Sequence, residues 1–204
     1  MVEEIRSARK AGVPLVAVET GDQYAFAEDM VSSLNDKTPV MAWDAVRGYR
    51  AMNDAGKGMV SGCGLSSDDL TQNATNPVES LRMAGSFGEK TVVVWMGAPM
   101  FLSDPFARQA IGNLRDLFKT DKRMLILTGA MFDIPIELRP DIVLLQEPSP
   151  SDTAILGMID DLTQGMPVSP DVAMKASLLD AVRGTSSLFG AEQIIAMSVA
   201  GREV

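Results

Sequence analysis

The sequence contains no histidine and a single cysteine, Cys63. Without histidine, the commonest general base and the commonest metal ligand are both missing, so a Ser-His-Asp triad, a Cys-His dyad and a zinc site of the usual His type are excluded. One cysteine cannot close an intramolecular disulfide, and Cys63 has no cationic neighbour in sequence closer than Lys57 to lower its pKa. No apolar run has the length of a membrane span or of a signal-peptide core. These absences point to the reducing cytoplasm and to no membrane partner. Basic residues are also scarce: 18 Lys and Arg against 27 Asp and Glu give a formal net charge of −9. No Lys/Arg cluster is long enough to reverse that field locally, which disfavours direct binding of nucleic acid.

What is present is enough apolar material, 46% of 204 residues, for one sizeable core or for a core plus a small subdomain. Short runs rich in β-branched residues predict buried strands at 13–18, 39–43, 91–96, 124–128 and 142–145. The run 91–96 (Thr91, three valines, Trp95, Met96) shows no polar alternation, as expected of a central parallel strand covered on both faces. Helical spacing follows the first strand, with Asp22 or Thr20 as cap and Phe26, Met30, Val31 and Leu34 as its stripe, and recurs at 77–83 and 105–120. Residues 53–76 carry four glycines and several Ser and Asp, which predicts a long exposed loop. Beyond Pro148-Ser149-Pro150 the pattern becomes wholly helical at 151–164, 170–183 and 190–201, with breaks at Gly165-Met166-Pro167 and Gly184-Thr185-Ser186. Strand and helix alternation up to residue 148 predicts an α/β fold with a right-handed, mostly parallel sheet. The fourteen methionines, Met83, Met124, Met158 and Met197 among them, fall mostly at apolar periodic positions and read as core filler.

Five strands in an α/β layer followed by three helices resemble the AAA+ ATPase module, and local motifs agree. Residues 91–96 look like its Walker B strand and 124–129 like its sensor-1 strand. Residues 134–141, Ile-Pro-Ile-Glu-Leu-Arg-Pro-Asp, resemble the stretch before its fifth strand, and 146–152 its entrance to the lid. More narrowly, the chain is similar to the non-catalytic N-terminal half of tandem AAA ATPases of cyanobacteria, plastids and some phages. The resemblance implies a five-stranded parallel sheet in the order 5-1-4-3-2 within residues 1–148, and a helical lid over 149–204. It implies ATP and magnesium for the parent protein, and as partners the protein's own AAA+ domain and the subunits of a homo-oligomer. The chain stops at Val204 just after its last helical segment, as a fragment of a longer protein would.

The departures from that family bear on chemistry. A P-loop, G-x-x-x-x-G-K-[ST], cradles phosphates with backbone N–H groups, neutralises them with Lys and holds magnesium with Ser/Thr. Here the place reads Glu19-Thr20-Gly21-Asp22-Gln23-Tyr24-Ala25-Phe26-Ala27-Glu28, with one glycine, no lysine and three acids. The Walker B-like strand runs into Gly97-Ala98-Pro99 with no acid before Asp104, and the place of a sensor-2 arginine reads Gly190-Ala191-Glu192. ATP and magnesium are therefore not expected on this chain.

Four residues remain candidates for a ligand, Thr20, Gly21, Asp22 and Gln23, in a strand-to-helix turn at the carboxyl edge of the sheet. The bland alternative is a plain turn with Asp22 as N-cap. Asp44 and Arg47 could face a ligand or form a surface pair. Arg139 lies where AAA+ subunits project an arginine finger, or else pairs with Asp141 or Glu137. Residues 57–60 stand at the place of a pore loop without its aromatic, or are a flexible insertion. Two other functions stay open: a nucleotide- or phosphate-binding Rossmann-like enzyme with its site on the loops after strands one and four, and a stand-alone scaffold protein.

Overall fold

The structure is a computed structural model and describes residues 1–164, 171–185 and 187–200, with side chains up to residue 198. It divides into two compact units, Met1–Glu147 and Pro148–Val204. The sequence breaks at 165–167 and at Ser186, and the terminal residues 201–204, lie outside the described residues.

The first unit runs α1 (Val2–Lys10), β1 (Leu15–Glu19), α2 (Gln23–Ser33), β2 (Val40–Asp44), β3 (Gly48–Ala51), α3 (Asp54–Gly62), α4 (Pro77–Ala84), β4 (Val92–Met96), α5 (Pro105–Thr120), β5 (Met124–Gly129) and β6 (Val143–Gln146). The sheet order is β3-β2-β4-β5-β1-β6, parallel except where β3 pairs antiparallel with β2. The five expected strands are thus present in the order implied by the resemblance, with β4 in the interior. A sixth, β3, extends the edge.

Alternate residues of each central strand feed two separate cores. Leu15, Ala17, Met41, Trp43, Val93, Trp95, Leu125 and Leu127 pack against Leu81 of α4 and against Ile111, Leu114 and Phe118 of α5. Val16, Val18, Val40, Ala42, Val92, Val94, Met124 and Ile126 pack on the other face with Ile5 of α1 and Phe26 and Met30 of α2. Both faces are covered, so these strands read as unbroken apolar runs. On adjacent strands Trp43 and Trp95 are in register and stack with centroids 4.5 Å apart. The Trp95 indole N–H donates to Ser80 Oγ at 2.9 Å, which satisfies its polar end inside the core.

Two sequence expectations need correction. β3 exists because the Asp44 carboxylate accepts from the amides of Val46 and Arg47 at 3.0 and 2.9 Å, folding the chain back after β2. Gly48, at φ +71°, then passes so close to the backbone of Leu70 that a Cβ would lie 2.2 Å from its carbonyl oxygen. Residues 53–76 are not one long exposed loop. Asn53 caps α3 by accepting from the Gly56 amide at 2.9 Å, and a π turn forms at Asp69–Asn73. A Cβ at Gly56 would lie 2.8 Å from Val40 O, so this glycine serves close packing on β2 rather than freedom.

The second unit contains α6 (Asp152–Leu162), α7 (Val172–Val182) and α8 (Leu188–Ala200), joined through Ile155, Ile159, Leu178, Val182, Ala191 and Ile195. Ser151 and Asp171 cap the first two of these helices. Among the described residues no strand follows residue 150, and no helix is long and apolar enough to cross a membrane.

Candidate functional site

At the carboxyl edge of the sheet, where open α/β folds place ligands, the ends of β1, β4, β5 and β6 converge. β1 stops at Glu19 and α2 starts at Gln23, so the connection is Thr20, Gly21 and Asp22 alone. Asp22 is extended, and its carboxylate accepts from the amides of Tyr24 and Ala25 at 3.1 and 3.0 Å. Those first-turn N–H groups are what a bound anion would use, and the chain supplies its own negative charge to them.

The neighbours of Asp22 are also engaged. Thr20 is buried, and its amide donates to Gly129 O at 2.9 Å. Its hydroxyl oxygen accepts from the Asp22 amide at 3.0 Å and its O–H donates to the Glu147 carboxylate. The Gln23 side-chain carbonyl accepts from the Gly97 amide at 2.6 Å and from the Thr128 hydroxyl at 2.8 Å, tying α2 to the ends of β4 and β5. Glu19 accepts from the Phe132 amide at 2.8 Å and from the Gln146 side-chain amide at 2.5 Å. The Glu147 amide donates to Glu19 O at 2.8 Å. Gly97 sits at φ +70°, a conformation that favours glycine in the turn after β4.

Glu19, Gly97, Thr128, Gln146 and Glu147 were not picked out by sequence reasoning. The available signal was positional: the last residues of neighbouring parallel strands must meet at one edge. Asp104, the first acid after β4, accepts from the Phe106 amide at 2.9 Å as the N-cap of α5. In the second unit Ala191 is buried, and Ser187 accepts from the Gly190 amide at 3.1 Å.

The residues at this edge do not fit ATP with magnesium. A P-loop needs enough backbone to wrap a phosphate and a lysine to neutralise it. The three-residue turn offers neither, and Gln23 spans the crevice.

Asp44 and Arg47 form an ion pair at 2.8 Å within the β2–β3 turn, and Arg47 also donates to the Tyr24 hydroxyl. Burial pushes the Asp44 carboxyl up, but hydrogen bonds from the amide and guanidinium of Arg47 and from the Val46 amide outweigh it. The carboxyl is held below its ordinary range. Lys57 lies in α3 paired with Asp54 at 2.8 Å, and Met59 and Val60 pack on the core, so residues 57–60 are helix rather than loop.

Arg139 does not pair with Asp141 or Glu137, which instead bind Arg115 and Arg108, each at 3.0 Å. The Arg139 amide donates to Pro135 O at 3.2 Å in a turn beside the buried Leu138. Its Nε donates to Ile134 O at 2.9 Å and its Nη2 lies 3.6 Å from Asp133, with the side chain 62% exposed.

A six-stranded, mostly parallel sheet in this order, flanked by helices, defines an AAA+-type α/β module. The description "SpoVK-like AAA ATPase, N-terminal domain" matches residues 1–147, and the chain belongs to that family. It is 23% identical over 188 residues to an uncharacterized AAA domain-containing protein, ycf46, of Trieres chinensis, covering 90% of this chain and 35% of that protein. The chain thus spans about a third of the length of this curated relative. Among solved structures it resembles a Thermotoga maritima RuvB variant, with TM-score 0.58 and 12% identity over 99% of this chain and 59% of RuvB. It also resembles AMPPCP-bound DnaA from Aquifex aeolicus, with TM-score 0.56 and 11% identity over 98% of this chain and 61% of DnaA. At such identities these two likenesses speak for the fold alone.

Proposed function

We propose that this chain is a non-catalytic AAA+-like domain that serves assembly, regulation or partner docking, while ATP hydrolysis resides in a domain outside it. The observation that carries this reading is the closed edge: a three-residue turn after β1, Asp22 on the first amides of α2, and Gln23 bridging Gly97 and Thr128. A site already satisfied by its own side chains gives a phosphate nothing to gain. ATP and magnesium then belong to the parent protein, whose oligomer this domain joins in the cytoplasm, and the helical unit from residue 149 onward plays the part of the lid. Arg139 is the trans-acting candidate: its exposed guanidinium is held only by a backbone carbonyl and a distant carboxylate, leaving donors for a neighbouring subunit.

The deciding experiment titrates the purified chain with MgATP by calorimetry, alongside the longer protein that contains it. No saturable binding at the carboxyl edge of this chain, with binding retained by the longer protein, is the expected result. Sub-millimolar binding to this chain that survives Lys10→Gln, a change at the far end of α1 and away from that edge, contradicts the reading.

A further inference from the structure

At the opposite, amino edge of the sheet the charge pattern of the molecule reverses. Arg6, Arg9 and Lys10 occupy positions i, i+3 and i+4 of α1, one side of the helix. With Glu3 and with Ser33, Leu34 and Asn35 at the end of α2 they line a shallow cavity of about 450 Å³, within the range of small-ligand sites. In a chain of net charge −9 this cavity gathers three cations against one carboxylate.

How those cations are satisfied matters. Arg6 donates from Nε to Ser33 O at 2.8 Å, offsetting the negative end of α2, and pairs with Glu3, whose side chain is 79% exposed. Arg9 is partly buried, yet its guanidinium meets only neutral acceptors, Thr38 Oγ1 at 3.1 Å and Lys90 O at 2.8 Å. Burial pushes its pKa down, and among the described residues no carboxylate pairs with it. Lys10 is exposed and likewise has no acidic partner among them. A half-buried guanidinium on neutral oxygens, beside a free ammonium and a second guanidinium, is chemistry that an incoming anion would complete.

We propose that the α1–α2 cavity is an anion site for the pyrophosphate group of a small phosphorylated molecule, held by Arg9 and Lys10 with Arg6 beside them. The site is separate from the carboxyl edge: Arg9 reaches Lys90, just before β4 begins, whereas the Gln23 network lies where β4 ends. It does not depend on whether the domain is catalytic.

The test is calorimetric titration of the whole chain with inorganic pyrophosphate at low salt, repeated at physiological salt. Saturable one-to-one binding that weakens as salt rises is expected, with at least a tenfold loss in Arg9→Gln and in Lys10→Gln. Lys57→Gln, an exposed lysine of α3, should bind as the parent chain does. If Arg9→Gln loosens α1, Lys10→Gln on the solvent side still decides. Absence of saturable binding, an equal loss in Lys57→Gln, or binding only to vesicles of anionic lipid and not to soluble pyrophosphate would overturn the proposal.

Discussion

The side-chain carbonyl of Gln23 accepts the Gly97 amide at 2.6 Å, so the first residue of α2 is fastened to the residue that follows β4. The same oxygen takes the Thr128 hydroxyl at the end of β5. Removing it with Gln23→Ala leaves a half-buried amide and a buried hydroxyl without their acceptor, at a cost of about 1–3 kcal/mol. Urea denaturation measures this. Gln23→Met keeps the length of the side chain without the acceptor and should lose nearly as much, a contrast that separates hydrogen bonding from packing.

Asp44 gives a pH dependence with a definite sign. Its carboxyl is held low in the folded chain by Arg47 and Val46, against an unfolded value of about 3.9. The stability it contributes is therefore fully present above the unfolded value and is lost as pH falls through the lower folded one. Thermal melts between neutral and strongly acidic pH should show a decline that Asp44→Asn reduces. If the two proteins lose stability in parallel over that range, the β2–β3 turn does not depend on the charge.

At Arg139, stability and assembly should separate. Its contacts to Ile134 O and Asp133 lie at the surface, where such pairs contribute about 0–1 kcal/mol. Arg139→Ala should leave the melting temperature of this domain nearly unchanged while reducing oligomer formation or ATP hydrolysis by the longer protein. Sedimentation and phosphate release read the two effects independently. Unfolding of the isolated domain with normal activity of the longer protein would make Arg139 a structural residue.

The sheet was legible where burial on both faces dictates composition, as in β4 and β5, whose strand character shows in three valines before Trp95 and in Leu125-Ile126-Leu127. β3 was not legible, because Gly48 and Ala51 are poor strand residues and the strand exists by pairing with β2. Residues 53–62 misled for a related reason: the glycines read as freedom, whereas Gly56 is there so that α3 can approach Val40, and Asn53 supplies the cap. At the carboxyl edge, the turn and its Asp22 cap are local and could be read. The partners of Gln23 lie 74 and 105 residues away, and only the fold brings them together. The same holds for Arg139, whose expected acids were claimed by Arg115 and Arg108 of α5.

The most direct measurement is phosphate release by the purified chain in the presence of magnesium and ATP. With a three-residue turn in place of a P-loop, no lysine on it, Asp22 on the α2 amides and no acid at the end of β4, the rate should equal that of buffer alone. Hydrolysis that copurifies with the monodisperse chain, even at a slow AAA+-like rate, would contradict the account.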